Sequence, residues 1–232
     1  MQLIPEYRED LPRVERFNFV ARMTHWGHTV TFILCLLTGL VLFLNSGADW
    51  LAAIFGGYNG AGLVHRIAAV TLTIFLVIFV IFDFKGIINW VKDLLRFGKD
   101  DIIFVMKFPL EFLGFPVKMP PQTRFNGGEK GNSMLTPTCV ILLVLSGYIM
   151  WFPTIFPAGL VRISYPIHDI AMVLATFMVC MHGYLGSFHP GSGESFWGMW
   201  KGTVREDWAK HHHAIWYEET YADKTDADSD AE

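Results

Sequence analysis

Apolar residues along the chain gather into four long runs, at about residues 25–44, 63–84, 134–152 and 163–188, with polar and charged stretches between them. Each run is long enough to cross a hydrocarbon layer about 30 Å thick as a helix. A helix is also the form that closes its own backbone hydrogen bonds where no water is available. The pattern therefore predicts an all-α membrane protein built on a four transmembrane helix bundle. The stretch at 85–133 is too long for a simple connector. Its first part, GIINWVKDLLRFGKD, mixes apolar and basic residues at helical spacing and predicts an interfacial helix. The remainder, FPLEFLGFPVKMPPQTRFNGGEKGN, is interrupted by Pro109, Pro116, Pro120 and Pro121 and then by glycines from Gly127 to Gly131, which predicts an ordered loop on the membrane surface. The expected organisation is an N-terminal arm (1–24), a membrane domain (25–188, with the 85–133 loop inside it) and a soluble C-terminal tail (189–232). The acidic end of that tail, KTDADSDAE, is expected to be disordered.

Composition agrees with that class. The 232 residues are 52% hydrophobic and only 17% charged, with a mean hydropathy of +0.35, values that exclude an ordinary soluble fold. The net charge of -4 matters less than where the charges lie. Lysines and arginines crowd the N-terminal arm (Arg8, Arg13, Arg16, Arg22), the 85–133 loop and the tail, whereas the stretches at 45–62 and 153–161 contain none. By the positive-inside tendency, both termini and the 85–133 loop are expected in the cytoplasm of a bacterial cell, with the chain multi-pass in the cytoplasmic (inner) membrane. The charged N-terminus, MQLIPEYREDLPRVERFNF, lacks the apolar centre of a secretory signal, so no cleaved peptide is expected. Cys35, Cys139 and Cys180 sit in apolar runs without a C-x-x-C or C-x-x-C-H spacing, which points to neither a disulfide framework nor covalently attached haem. Lipid, and not nucleic acid, is the expected surround.

Chemistry enters with the histidines. His168 and His182 lie fourteen residues apart in the fourth run, a rise of roughly 21 Å that returns to within roughly 40° of the same helix face. One helix thus presents two imidazoles at two depths. His25 begins the first run and His65 the second, so the alternating direction of the spans sorts the four by depth. His25 falls with His182 on the inner side, and His65 with His168 on the outer side. Two imidazoles on opposite faces of a porphyrin make a six-coordinate iron suited to electron transfer. The sorted pairs therefore predict two haem b groups, with His25 and His182 as iron ligands of the inner one and His65 and His168 of the outer one. Taken singly, each of these residues also suits a helix-end histidine or a member of a proton path. Gly39 follows His25 by the same fourteen residues and lies at the depth of the outer pair, where a residue without a side chain lets a macrocycle approach or a helix pack closely. His28 is about 60° out of phase with His25. His189 is expected at the interface, and His211, His212 and His213 on a solvated or partner-facing surface more than at a metal.

The segments RFNFVARMTHW, GLVHR, RFNGGEKGN, YPIHDIAMVLATFMVCMHGYLGSF and WGMWKGTVREDWAKHHHAIWY together resemble the cytochrome b, or gamma, subunits of respiratory formate dehydrogenases, related to the dihaem b-type cytochromes of membrane hydrogenases and thiosulfate reductase. The resemblance implies the same pairing of His25 with His182 and His65 with His168. It also implies a quinone site, for menaquinone or ubiquinone, beside the inner haem at Asn126, Gly128, Glu129 and His182. Glu129 stands where the family pattern has glutamine, and a carboxylate there suits proton delivery. The implied partners are an iron-sulfur electron-transfer subunit and a catalytic molybdenum, tungsten or nickel-iron subunit. Arg66, next to His65, is expected to pair with a propionate of the outer haem. The chain shows no catalytic residues for formate, hydrogen or sulfur chemistry, so whether it counts as an enzyme by itself stays open. A self-sufficient b561-type quinone oxidoreductase and a non-redox transporter or assembly subunit remain alternatives.

Overall fold

The computed structural model describes the backbone of residues 5–229 and the side chains of residues 5–221. Four of its helical segments are long and apolar enough to cross a membrane: Phe19–Ile54, Gly57–Phe82, Gly127–Trp151 and Ala158–Ser187. The fold is all-α apart from one short pair of strands, and the chain divides into two compact units.

The first unit comprises Asn18–Gly86 and Thr138–Phe177. Helix α1 (Phe19–Leu44) begins at an Asn18 cap whose side-chain oxygen accepts the Ala21 N–H at 2.8 Å. A 3-10 turn at Asn45–Ala48 and the short α2 (Asp49–Ile54) lead into α3 (Gly57–Phe82). Helices α1 and α3 pack along each other, and they approach closely at Gly27, where a Cβ would stand 2.4 Å from the Phe75 ring. Val41, Ala48, Leu51, Ala52 and Ala61 close the turn end of the pair. To this unit α6 (Gly127–Trp151) and α7 (Ala158–Ser187) contribute their residues from Thr138 and up to Phe177. Many other apolar side chains of these helices, among them Val30, Ile67, Ile74, Ile141, Ile170 and Val173, are exposed. A surface of this kind is at home against lipid, because hydrocarbon solvates it as well as a protein core does.

The second unit comprises residues up to Phe17, Ile87–Pro137 and Met178 onward. Strands β1 (Arg13–Glu15) and β2 (Thr203–Arg205) pair antiparallel, with Val14 opposite Val204. Around them lie α8 (Glu194–Lys201), α9 (Glu206–His212) and α10 (Ala214–Ser229), packed on a core of Val14, Val204, Trp208, Ala209, Trp216 and Tyr217. The buried Glu194 carboxylate pairs with Arg13 and accepts the Arg205 N–H, tying the arm to the tail. Of the acidic end expected to be disordered, the backbone of 224–229 continues α10, and residues 230–232 lie outside those described.

The middle stretch differs from its sequence reading. Helix α4 (Phe84–Leu95) is the expected amphipathic helix, with Phe84, Ile88, Val91 and Leu95 exposed along one face. The following stretch is not an irregular loop throughout, since α5 (Lys99–Phe112) carries the chain through Pro109. Proline near a helix end removes one backbone bond but leaves the preceding turns intact. Here the end is closed by Gly114 at φ 85°, with the Phe115 N–H reaching the Leu110 carbonyl at 3.0 Å. The Gly127–Gly131 segment is likewise no surface turn. It forms the first turn of α6, which starts at Gly127, ahead of the expected 134. Helix α7 starts at Ala158, ahead of the expected 163, and runs through Pro166.

Candidate functional site

His65 on α3 and His168 on α7 meet in the first unit, their ring centroids 6.3 Å apart and their planes at 62°. A metal–imidazole bond of about 2 Å, with roughly 1.1 Å from nitrogen to ring centre, would set two rings on one ion about 6.2 Å apart. The observed separation matches. Each ring is also held by its other nitrogen. His65 Nδ1 lies 3.0 Å from the Thr38 hydroxyl and 3.1 Å from the Cys35 carbonyl, while His168 Nδ1 lies 2.9 Å from the Ser146 hydroxyl.

The direction of these bonds follows from proton counting. Thr38 donates its only hydroxyl hydrogen to the Leu34 carbonyl at 2.6 Å, and Ser146 donates its own to the Leu142 carbonyl at 2.5 Å. Toward imidazole both hydroxyls are therefore acceptors, so Nδ1 carries the hydrogen in each ring. The Nε2 lone pair is then the ligating atom. Beside each hydroxyl stands a glycine. A Cβ at Gly39 would lie 3.4 Å from His65 Cε1, and one at Gly147 would lie 3.4 Å from His168 Cε1. Gly39 was legible from its spacing; Thr38, Ser146 and Gly147 were missed. The signal for them is a hydroxyl–glycine dipeptide in each of LLTGL and VLSGY, one span ahead of a histidine.

The expected quinone-loop residues lie in the second unit. Asn126 caps α6, its side-chain oxygen accepting the Glu129 N–H at 2.9 Å while Glu129 Oε2 accepts the Asn126 N–H at 2.8 Å. This is a reciprocal capping box. Glu129 Oε1 also faces Arg16 at 3.3 Å. Gly128 is exposed beside them. Arg16, 4% exposed, exchanges hydrogen bonds with Arg124 through each residue's carbonyl and lies over the rings of Phe17, Trp208 and Trp216. Lys130 is fully buried and donates to Asp101 and to the Arg96 carbonyl, both at 2.9 Å. His213 is buried and donates from Nδ1 to the Thr123 carbonyl at 2.7 Å. Burial, with Arg16 nearby, holds it well below its ordinary value. Burial also lowers His212, stacked on Trp208, to about 4, with His211, Arg16 and His189 adding to the effect.

Other expected residues have simpler surroundings. His25 lies on α1 against Trp26, in the first unit, and His182 belongs to the second. Arg66 sits over the Trp151 ring at 5.7 Å. His28 faces Phe32, and the buried His189 stacks on Phe112. Among the described residues, no three His, Cys, Asp or Glu side chains group as a metal site.

Comparison with known proteins agrees with the resemblance read from the sequence. The chain is 27% identical to the nitrate-inducible formate dehydrogenase cytochrome b556(Fdn) subunit of Escherichia coli K12, over 94% of this chain and 96% of the relative. It is 27% identical to the formate dehydrogenase cytochrome b556(fdo) subunit of the same organism, over 89% and 92%. A formate dehydrogenase cytochrome b556 subunit of Haemophilus influenzae is 26% identical, over 93% and 87%. A family model described as prokaryotic cytochrome b561 matches residues 16–202 and implies haem b. The His65–His168 pair fits such a group: two rings at the spacing of a shared ion, Nδ1 held on both, and a glycine clearing each Cε1 edge. With four membrane-crossing helices, the chain is a multi-pass protein of the inner membrane, and it belongs to the prokaryotic cytochrome b561 family.

Proposed function

We propose that this protein is the membrane-anchoring, dihaem cytochrome b subunit of a formate dehydrogenase-type respiratory oxidoreductase. It carries electrons across the membrane between an iron-sulfur partner subunit and the quinone pool. The observation that carries the reading is the His65–His168 pair, whose 6.3 Å separation and anchored Nδ1 atoms suit axial ligation. His65 and His168 would hold haem b, which would supply a one-electron carrier. His65 and His168 would orient and ligate it, Gly39 and Gly147 would leave it room, and Arg66 would pair with one of its propionates. His25 and His182 hold the second, inner group.

The quinone end is assigned to Asn126, Gly128, Glu129 and His182. The half-buried Glu129 side chain takes up a proton and, as the carboxylic acid, passes it to a quinone oxygen as the ring is reduced. The arm (1–24), the 85–133 stretch and the tail (189–232) lie on the cytoplasmic side of the membrane domain (25–188), as the lysine and arginine distribution favours. The names of the relatives, subunits of formate dehydrogenases, support assembly with a catalytic partner. A self-sufficient b561-type quinone oxidoreductase is the second reading, favoured by the description of the family model.

Purification from native membranes tests both. The expected result is a reduced b-type spectrum with two haems per chain and co-purifying iron-sulfur and catalytic subunits. A two-haem protein that purifies alone and turns over quinone would select the second reading, and a chain without haem would refute both. His182→Ala is expected to remove the inner haem and quinone reduction while the outer haem stays bound; equal loss of both haems would refute that division.

A further inference from the structure

Hydroxyl side chains on membrane helices usually bond the carbonyl four residues back and stop there, as Thr29, Thr71, Ser164 and Thr176 do here. Thr38 and Ser146 do more. Each makes the same back-bond and then accepts from an imidazole Nδ1 on the next span. The arrangement occurs twice in matching form. Hydroxyl and glycine are adjacent on α1 (Thr38, Gly39) and on α6 (Ser146, Gly147), and the histidine comes from α3 in one case and α7 in the other. In each, the carbonyl three residues before the hydroxyl, Cys35 or Leu143, is a further backbone partner of the same ring. Ordinary back-bonding explains neither the aim at Nδ1 nor the repetition.

We propose that Thr38 and Ser146 are paired positioning residues that set the redox potential of the outer haem through its two axial histidines. Their oxygens are polarised toward the imidazole because their hydrogens are already committed to Leu34 and Leu142. An acceptor at Nδ1–H makes the ring a stronger electron donor at Nε2, which favours the more positively charged, oxidised iron. Both hydroxyls therefore hold the potential down. Removing either hydroxyl raises it, while the remaining carbonyl keeps the ring in place.

This inference rests on the dihaem reading above, and its test separates the two. Potentiometric titration of both haems is compared in the complex as purified, carrying Thr38→Val, Thr38→Ser, Ser146→Ala, Ser146→Thr or no substitution. Thr38→Val and Ser146→Ala are each expected to raise the midpoint of one and the same haem. The expected size is up to about tenfold in its oxidised-to-reduced ratio, equivalent to about 59 mV, with the other haem unmoved. Thr38→Ser and Ser146→Thr, which keep the hydroxyl, should titrate as the unaltered protein does. Loss of that haem in Thr38→Val or Ser146→Ala would overturn the proposal, because the carbonyl would then not suffice to hold the ring. The proposal is overturned if both midpoints stay put, if only one of the two hydroxyls matters, or if the hydroxyl-keeping variants shift or lose haem like the others. Fewer than two haems in the unaltered protein would instead sink the dihaem reading, and the inference with it.

Discussion

The two polar constellations of this protein are satisfied in opposite ways. At His65 and His168 the surroundings hold one nitrogen of each ring and leave the other as a ligating atom, so the site is completed by something bound. Around Arg16, Glu129 and Lys130 the charges answer one another and the backbone: Lys130 with Asp101, Glu129 with Arg16 and the Asn126 N–H, Arg16 with Arg124. The first arrangement is built for a cofactor. The second holds the start of α6, the N-terminal arm and the tail in one piece, with Gly128 exposed and Glu129 half-buried at its rim. A carboxylate can thus be part of a scaffold and still be offered a chemical role, which is why the predictions separate the two.

The largest effect is expected at the ligand site. His168→Ala should abolish binding of one of the two haems, read as the haem-to-protein ratio, and leave expression of the chain intact. Next comes the scaffold. Lys130→Met strands the buried Asp101 carboxylate, and breaking one side of such a pair costs about 3–5 kcal/mol. A clear drop in thermal midpoint in detergent is expected, with partial recovery when Asp101→Asn is added, since Asn can still accept the Gly98 N–H. An unchanged midpoint would show that the pair does not hold the fold.

Acid should weaken the tail. Above the ordinary histidine value of 6.5, His212 and His213 are neutral whether folded or unfolded, and no penalty arises. Below it the unfolded chain takes up protons that the buried rings refuse, so stability falls with pH down to the folded value, about 4 for His212. Thermal melts between pH 7 and pH 5 should show this loss, reduced in a His212→Gln variant. The smallest stability change belongs to Glu129→Gln. Glutamine keeps the capping box, so the melt should move by about 1 kcal/mol or less, while the pH dependence of quinone turnover changes. An unaltered pH profile would remove Glu129 from proton delivery and leave it as scaffold alone.

Much of this was legible in the residues. The four spans follow from hydrophobic length, and the His65–His168 pair follows from depth and alternation, because both depend on spacing along single helices. The role of Thr38 and Ser146 was not, since a threonine or serine in an apolar run looks the same whether it back-bonds only or also meets a ring on another helix. Glu129 shows the converse. Its neighbours Asn126 and Gly127 suggested a turn, yet the capping box turns the same residues into the beginning of a span. The strand pair between residues 13–15 and 203–205 also escaped notice, as its partners lie almost the whole chain apart.

By itself, then, the sequence determined what each helix is: its length, its apolar faces and the depth of its histidines, all local properties of a 3.6-residue repeat. Which hydroxyl meets which imidazole, and which lysine loses all its water, were decided only by the tertiary structure. A hydrogen bond of about 3 Å depends on how two separate helices are placed, and no spacing within either one encodes it.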